Sequence, residues 1–247
     1  MKEEKKLKNF ISKNKQYIFI ILISIIVSVP MFMPNFNMQY DDGVQHICRL
    51  IGTEQSINEG QLFPVIMSNF CNGFGYSWNL FYSPFTAYAP LIFRIFGLSF
   101  EMCLKIFMLF ISILTGLAMY FYIMKITKNK EIAIFAAALY ILVPYRLNDM
   151  YFRMAISELT TFIFLPIIFN GLYTIIKLKQ KTCLLIIRSS RNATYTQYAY
   201  CLCSYFLYYI FVSKYKGNKK RCINFIISKC NMDFTFNYVL LGSTYRK

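Results

Sequence analysis

Tyr17 to Pro34 runs without a charged residue, and this one stretch restricts the fold more than anything else in the chain. Roughly 20 apolar residues in helical form cross the hydrocarbon core of a bilayer. Met31-Phe32-Met33-Pro34 offers no small-x-small cleavage site, so the stretch reads as a retained anchor and not as a removed leader. The remainder has the same character. Of 247 residues, 57% are hydrophobic and 15% charged, whereas soluble domains are roughly half apolar and about a quarter charged. An integral membrane protein is expected.

The charge distribution orients it. The net charge is +16, and Lys2, Lys5, Lys6, Lys8, Lys13 and Lys15 precede the first apolar stretch. That is the arrangement the positive-inside rule associates with a cytoplasmic N-terminus. These lysines suit membrane lipid as the partner, and no nucleic acid is expected. Asn37 to Phe81 holds Asp41, Asp42, Glu54 and Glu59 against Arg49 and is placed outside. Pro84 to Leu98 is apolar but short and contains Arg94; an interfacial or re-entrant course keeps Lys125, Lys128 and Lys130 inside. The expected fold is all-α, a polytopic transmembrane helix bundle over 1–182. Its spans fall at about 17–36, 101–124, 131–147 and 155–176, with juxtamembrane helices in an outer loop, 37–100. Lys105 is expected to snorkel. The chain would be multi-pass in the cell membrane.

Residues 183–247 differ from this. Arg188, Arg191, Lys214, Lys216, Lys219, Lys220, Arg221, Lys229, Arg246 and Lys247 stand against one acid, Asp233, and five of the eight cysteines lie here. A marginal span fits 198–212. The compositional break predicts a shifted reading frame near Ile187-Arg188, with a divergent encoded tail as the alternative. The cysteines show no C-x-x-C pair, and one histidine cannot complete a typical zinc site with them. Cys48 and Cys71 could pair, buried free thiols being the default.

Three constellations could carry chemistry. The first is Asp41-Asp42-Gly43-Val44-Gln45-His46-Ile47-Cys48-Arg49-Leu50. As a helix from Gly43 it puts Asp42, His46 and Arg49 on one face and Val44, Ile47, Cys48 and Ile51 on another, turned toward something apolar. Asp42 with Gln45 also matches a capping box, a purely structural role. The functional reading makes Asp41 or Asp42 a general base or metal ligand and His46 its partner. The second is Arg146, Asp149 and Arg153 followed by Glu158. Exposed Arg–Asp pairs contribute little, but two arginines on one face would hold phosphate, and an acid within a span faces a cavity or partner. The third is Asn72 to Pro84, where Tyr76, Trp78 and Tyr82 suit an aromatic belt.

Three spaced motifs resemble one bacterial family. They are Asp-Asp-Gly-x-x-His-x-x-Arg-Leu, Gly-x-Gly-Tyr followed by Phe-Tyr-x-Pro, and Pro-Tyr-Arg-Leu-x-Asp-x-Tyr-x-Arg-x-Ala-x-x-Glu followed by Phe-Leu-Pro. The family is that of multi-spanning membrane proteins labelled as carrying a 6-pyruvoyl-tetrahydropterin synthase-related domain, itself similar to GT-C glycosyltransferases. The resemblance covers Met1 to about Gln180. It implies a GT-C-like transferase drawing a sugar from a polyprenyl-phosphate donor, with Asp41 or Asp42 as base or metal-binding acid. It also implies Arg146 and Arg153 as holders of the donor phosphate; Arg49, Asp149 and Glu158 are the further candidates for substrate binding. Pterin-synthase chemistry is not expected, because His46 is the only histidine. No cofactor is certain; a divalent metal would be held by Asp41 or Asp42. Family members carry several more spans, so the chain is expected to be a truncated, N-terminal portion. Two alternatives stand beside the transferase: a non-catalytic carrier or assembly protein for envelope polymers, and an inactive fragment.

Overall fold

The computed structural model describes residues 2–178 except positions 35, 37, 39, 40 and 69, with side chains described from position 14 and not at 80, 81, 172 or 175–178. The boundary at 182/183, the marginal span 198–212 and the proposed frame shift all lie outside the described residues. Within them the fold is all-α. The helices are α1 (Lys2–Ser28), α2 (Gly43–Asn58), α3 (Trp78–Phe81), α4 (Phe85–Leu91), α5 (Phe100–Thr127), α6 (Lys130–Ile141), α7 (Pro144–Tyr151) and α8 (Ile156–Leu178).

The long helices are built inside out. On α1, Phe19, Leu22, Ile25 and Ile26 are exposed, while Gln16, Ser24 and Ser28 are buried beside Ile20 and Val27. The two serines stay inside because each donates to a carbonyl one turn back, Ser24 to Ile20 and Ser28 to Ser24, both at 2.8 Å. On α5, Phe110, Leu114 and Phe121 face outward and Ser112 and Thr115 inward. α6 shows Ile132, Phe135 and Leu139 and buries Ala133 and Ala137. Apolar outside and small or polar inside is the order a hydrocarbon solvent imposes. Gly116 lets three helices meet: a Cβ there would lie 2.6 Å from Ile141 Cδ1 on α6 and 2.7 Å from Ile20 Cγ2 on α1.

Among the described residues two helical stretches are long and apolar enough to cross a membrane by length and composition, Asn14–Phe32 and Phe100–Thr127, and a third arises if α6 and α7 are taken as one bent span. The first crossing is set back from 17–36, because Pro30 turns the chain into a 3-10 turn over Val29–Phe32. The expected straight span 131–147 is two helices meeting at 44°. α6 stops at Ile141 and Pro144 starts α7, since proline fits a first helical turn and breaks a continuing one. α8 extends over 23 residues, Ile156–Leu178, at the place of the expected crossing 155–176.

Between the first two crossings, positions 36–99 form the short helices α2, α3 and α4. The apolar piece Phe85–Phe96 is too short to span. Its Arg94 is neutralised by Glu54, with Nε 2.9 Å from Oε1 and Nη2 3.2 Å from Oε2. Lys105 does not snorkel to water: it is buried and its ammonium sits 2.6 Å from Glu101.

Candidate functional site

The acid turn is built by backbone constraints. Asp41 takes a left-handed conformation (φ 45°), which aspartate tolerates better than most residues. The Asp42 amide donates to the carbonyl of Arg153 at 3.2 Å. Gly43 then admits no side chain, for a Cβ would lie 2.0 Å from the Met38 carbonyl oxygen and 3.2 Å from Met154 Cγ. Met154 is also left-handed, at φ 54°. Two tight corners, one before α2 and one between α7 and α8, are thus locked together. Asp42 occupies the N-cap of α2 yet its side chain makes no capping hydrogen bond. The capping-box expectation is therefore corrected, and the carboxylate is left without that duty.

At the second corner Arg153 gathers a network. Nη1 donates to Asp149 Oδ1 at 2.8 Å, Glu158 Oε2 at 3.1 Å and Tyr145 Oη at 3.3 Å; Nη2 donates to Glu158 Oε1 at 2.9 Å. Tyr145 donates in turn to Glu158 Oε2. Asp149 is fully buried, and its Oδ2 has no hydrogen-bond partner among the described residues. Glu158 lies in the first turn of α8, where the helix dipole favours an anion. Bonding to Glu158 first, then to Tyr145, raises the Arg153 pKa above its ordinary value. Asp42 feels the same cluster. Its pKa is raised chiefly by burial, then by Asp41, with Arg153 opposing and Glu158 adding a further rise. Two carboxylates, Asp149 and Glu158, therefore hold one guanidinium, and Asp42 is coupled electrostatically to the same corner.

Other expected site residues lie elsewhere. The polar face of α2 points inward, with His46, Arg49, Thr53 and Ser56 buried, while on its apolar face Val44 is exposed and Ile47 packs against the hydrophobic core. His46 packs edge-on to Tyr82, with ring centroids 6.0 Å apart, and its Nε2 has no hydrogen-bond partner among the described residues. Burial, then Arg49, pushes its pKa down to about 3. It is a neutral core histidine whose charged neighbour is Arg49, not Asp42. Arg49 donates to Ser83 O at 3.0 Å and Thr86 Oγ1 at 3.2 Å and lies 4.9 Å from the Tyr82 ring centroid; it anchors the Phe-Tyr-x-Pro loop. Arg146 is fully buried and donates to Ile141 O at 3.0 Å and Ser112 Oγ at 2.6 Å. Arg146 is thus buried, whereas the Arg153 side chain is partly exposed. In an apolar bundle a guanidinium is held where carbonyls and hydroxyls surround it.

Among the described residues no group of three His, Cys, Asp or Glu is placed to hold a metal, and Cys48, Cys71 and Cys103 are free thiols, with Cys71 exposed. Tyr145 is the functional neighbour that residue-by-residue reading missed. Its spacing of four from Asp149 on one helix face is the signal that could have found it.

Comparison with known proteins adds a distant relative. An uncharacterized protein of Lactococcus lactis subsp. cremoris (strain MG1363) is 24% identical over 229 residues, covering 89% of this chain. The chain spans 37% of that relative's length. No family model matches, and no solved structure does.

Proposed function

We propose that the acid turn and the α7–α8 corner are part of the active site of a membrane-embedded, GT-C-like glycosyltransferase. The observation that supports this is Asp42, whose carboxylate makes no capping bond, whose amide bonds the Arg153 carbonyl, and whose charge is coupled to Arg153 and Glu158. With the N-terminal lysines on the cytoplasmic side, the cluster lies at the outer membrane surface, where a polyprenyl-phosphate-linked sugar would present its anomeric carbon. In this reading Asp42 takes the proton of an acceptor hydroxyl as that oxygen bonds the anomeric carbon. The sugar–phosphate C–O bond breaks, and the polyprenyl phosphate leaves with the electron pair. Arg153 acts as a positioning residue that holds Glu158 and Asp149.

The described residues offer no three-ligand set for a divalent ion, and no step is routed through one. Nor does Arg146 reach the cluster to hold a phosphate, so the acidic corner suits the acceptor hydroxyl better than the donor's anionic end. The test is transfer from a labelled polyprenyl-phospho-sugar by membranes containing the protein. Asp42→Asn is expected to reduce the rate by about 10²–10⁴-fold with unchanged membrane insertion. An unaffected rate removes the acid from the mechanism. Binding of the lipid-linked sugar without transfer would favour the carrier reading.

A further inference from the structure

From Gly60 to Phe93 no residue carries a charge, yet this segment is not buried. Leu62, Val65 and Ile66 are exposed, Phe63 is 83% exposed and Phe74 90%. Just beyond, Ile95 and Phe96 are 82% and 75% exposed. An exposed, irregular, charge-free stretch of this kind is unusual on a surface that faces water.

Its backbone is arranged for a drier setting. Met67 and Tyr76 exchange both amide–carbonyl bonds, at 3.0 and 3.1 Å. Within the loop they close, the amides of Gly73 and Gly75 both donate to Phe70 O, at 3.2 and 2.9 Å, and Phe74 donates to Cys71 O at 3.2 Å. Gly75 is required here, with φ +81° and a Cβ position only 2.5 Å from Ile66 Cγ2. At the base, Asn79 Nδ2 donates to Pro64 O at 2.8 Å and Tyr88 Oη to Leu62 O at 2.7 Å. These backbone groups are paired internally while apolar side chains point out, which is what entry into a lipid interface demands.

The two tips share a flank. The Phe63 ring lies 6.0 Å from Tyr88 of α4, and one turn further on α4 gives way to the Ile92–Phe96 3-10 turn. There Phe93 stacks on Phe110 at 5.6 Å, and Phe110 belongs to the exposed face of the α5 crossing. By helical rise Phe110 lies about 15 Å along α5 from its start. The patch is therefore continuous with the surface of a membrane-crossing helix. The one nearby cation, Arg94, is paired with Glu54 and stacked 4.1 Å from the Phe100 ring centroid.

We infer that the Leu62–Tyr76 hairpin and the Ile92–Phe96 turn form a lipid-inserting device that seats Phe63, Phe74, Ile95 and Phe96 in the headgroup–acyl boundary of the bilayer. The device is independent of the transferase reading. Trp78, the chain's only tryptophan, packs against Phe70 and Tyr76 at 4.9 and 5.0 Å and reports on the hairpin without substitution.

The chain is reconstituted in phosphatidylcholine–phosphatidylglycerol vesicles containing lipids brominated near the headgroup. Emission from Trp78, and from Phe63→Trp or Phe74→Trp in a Trp78→Phe background, is then followed. All three are expected to shift to the blue and lose roughly half their intensity to shallow bromines, while resisting aqueous iodide. Quenching by iodide and not by bromine would put the hairpin in water and overturn the inference. Protection from both quenchers would also overturn it, by showing that a second copy or further protein covers the patch. The unsubstituted chain keeps the test decisive if a variant does not fold.

Discussion

Asp42 carries a charge that its surroundings penalise. Burial and the neighbouring Asp41 and Glu158 raise its pKa, against the help of Arg153, so the protonated form is favoured by folding. A carboxyl raised in the native state contributes stability below its unfolded pKa, and that contribution is lost as pH rises through the native value. Asp42→Asn should therefore leave the melting temperature in detergent unchanged or higher at neutral pH, asparagine being a good N-cap, while transfer is lost. The acid limb of the wild-type pH–rate profile should lie above the usual aspartate value of about 3.9. Arg153 behaves oppositely. Arg153→Gln leaves the buried Asp149 carboxylate without its charge-assisted bond and should cost about 2 kcal/mol, measured by denaturant titration; adding Asp149→Asn should recover part of it. The meeting of Asp42 with Arg153 and Glu158 was legible from charges placed at the ends of apolar runs. The fates of His46, Arg49 and Arg146 were not, because spacing along a helix gives the face of a side chain but not which face the protein covers.

At the scale of elements, the α6–α7 bend depends on Arg146, which bonds the last carbonyl of α6 and a hydroxyl of α5 from the first turn of α7. Arg146→Ala removes both bonds and leaves a void; a loss of about 3 kcal/mol is expected, read from the unfolding midpoint in mixed micelles. A phosphate-binding arginine would instead alter substrate affinity with little effect on stability. The left-handed corner before α2 is equally demanding. Gly43→Ala forces a Cβ onto the Met38 carbonyl, and should lower stability and separate α2 from the α7–α8 corner, observable as faster amide exchange at Asp42. The places of α1, α5 and α8 were readable from the length of uncharged apolar sequence and the lysines that flank it. The bend was marked by Pro144. That both faces of α2 are partly covered was not written in the spacing, which separates the two faces but does not say what each one meets.

For the molecule as a whole, the two helices among the described residues that are long and apolar enough to cross, or three with the bent pair, together with outward-facing phenylalanine, leucine and isoleucine, predict retention in the membrane pellet after alkaline carbonate extraction. Release into the supernatant would contradict the membrane assignment. The amide of Asp42 bonds the Arg153 carbonyl, and the latter residue leads within a few positions into α8. Any change in the tilt of α8 is therefore transmitted through a single peptide unit to the acids. Helices adjust their tilt to the thickness of the surrounding hydrocarbon, so the spacing between Asp42 and Glu158 becomes a function of lipid chain length. The bilayer, through its thickness alone, would act as a tuning parameter for the corner's chemistry.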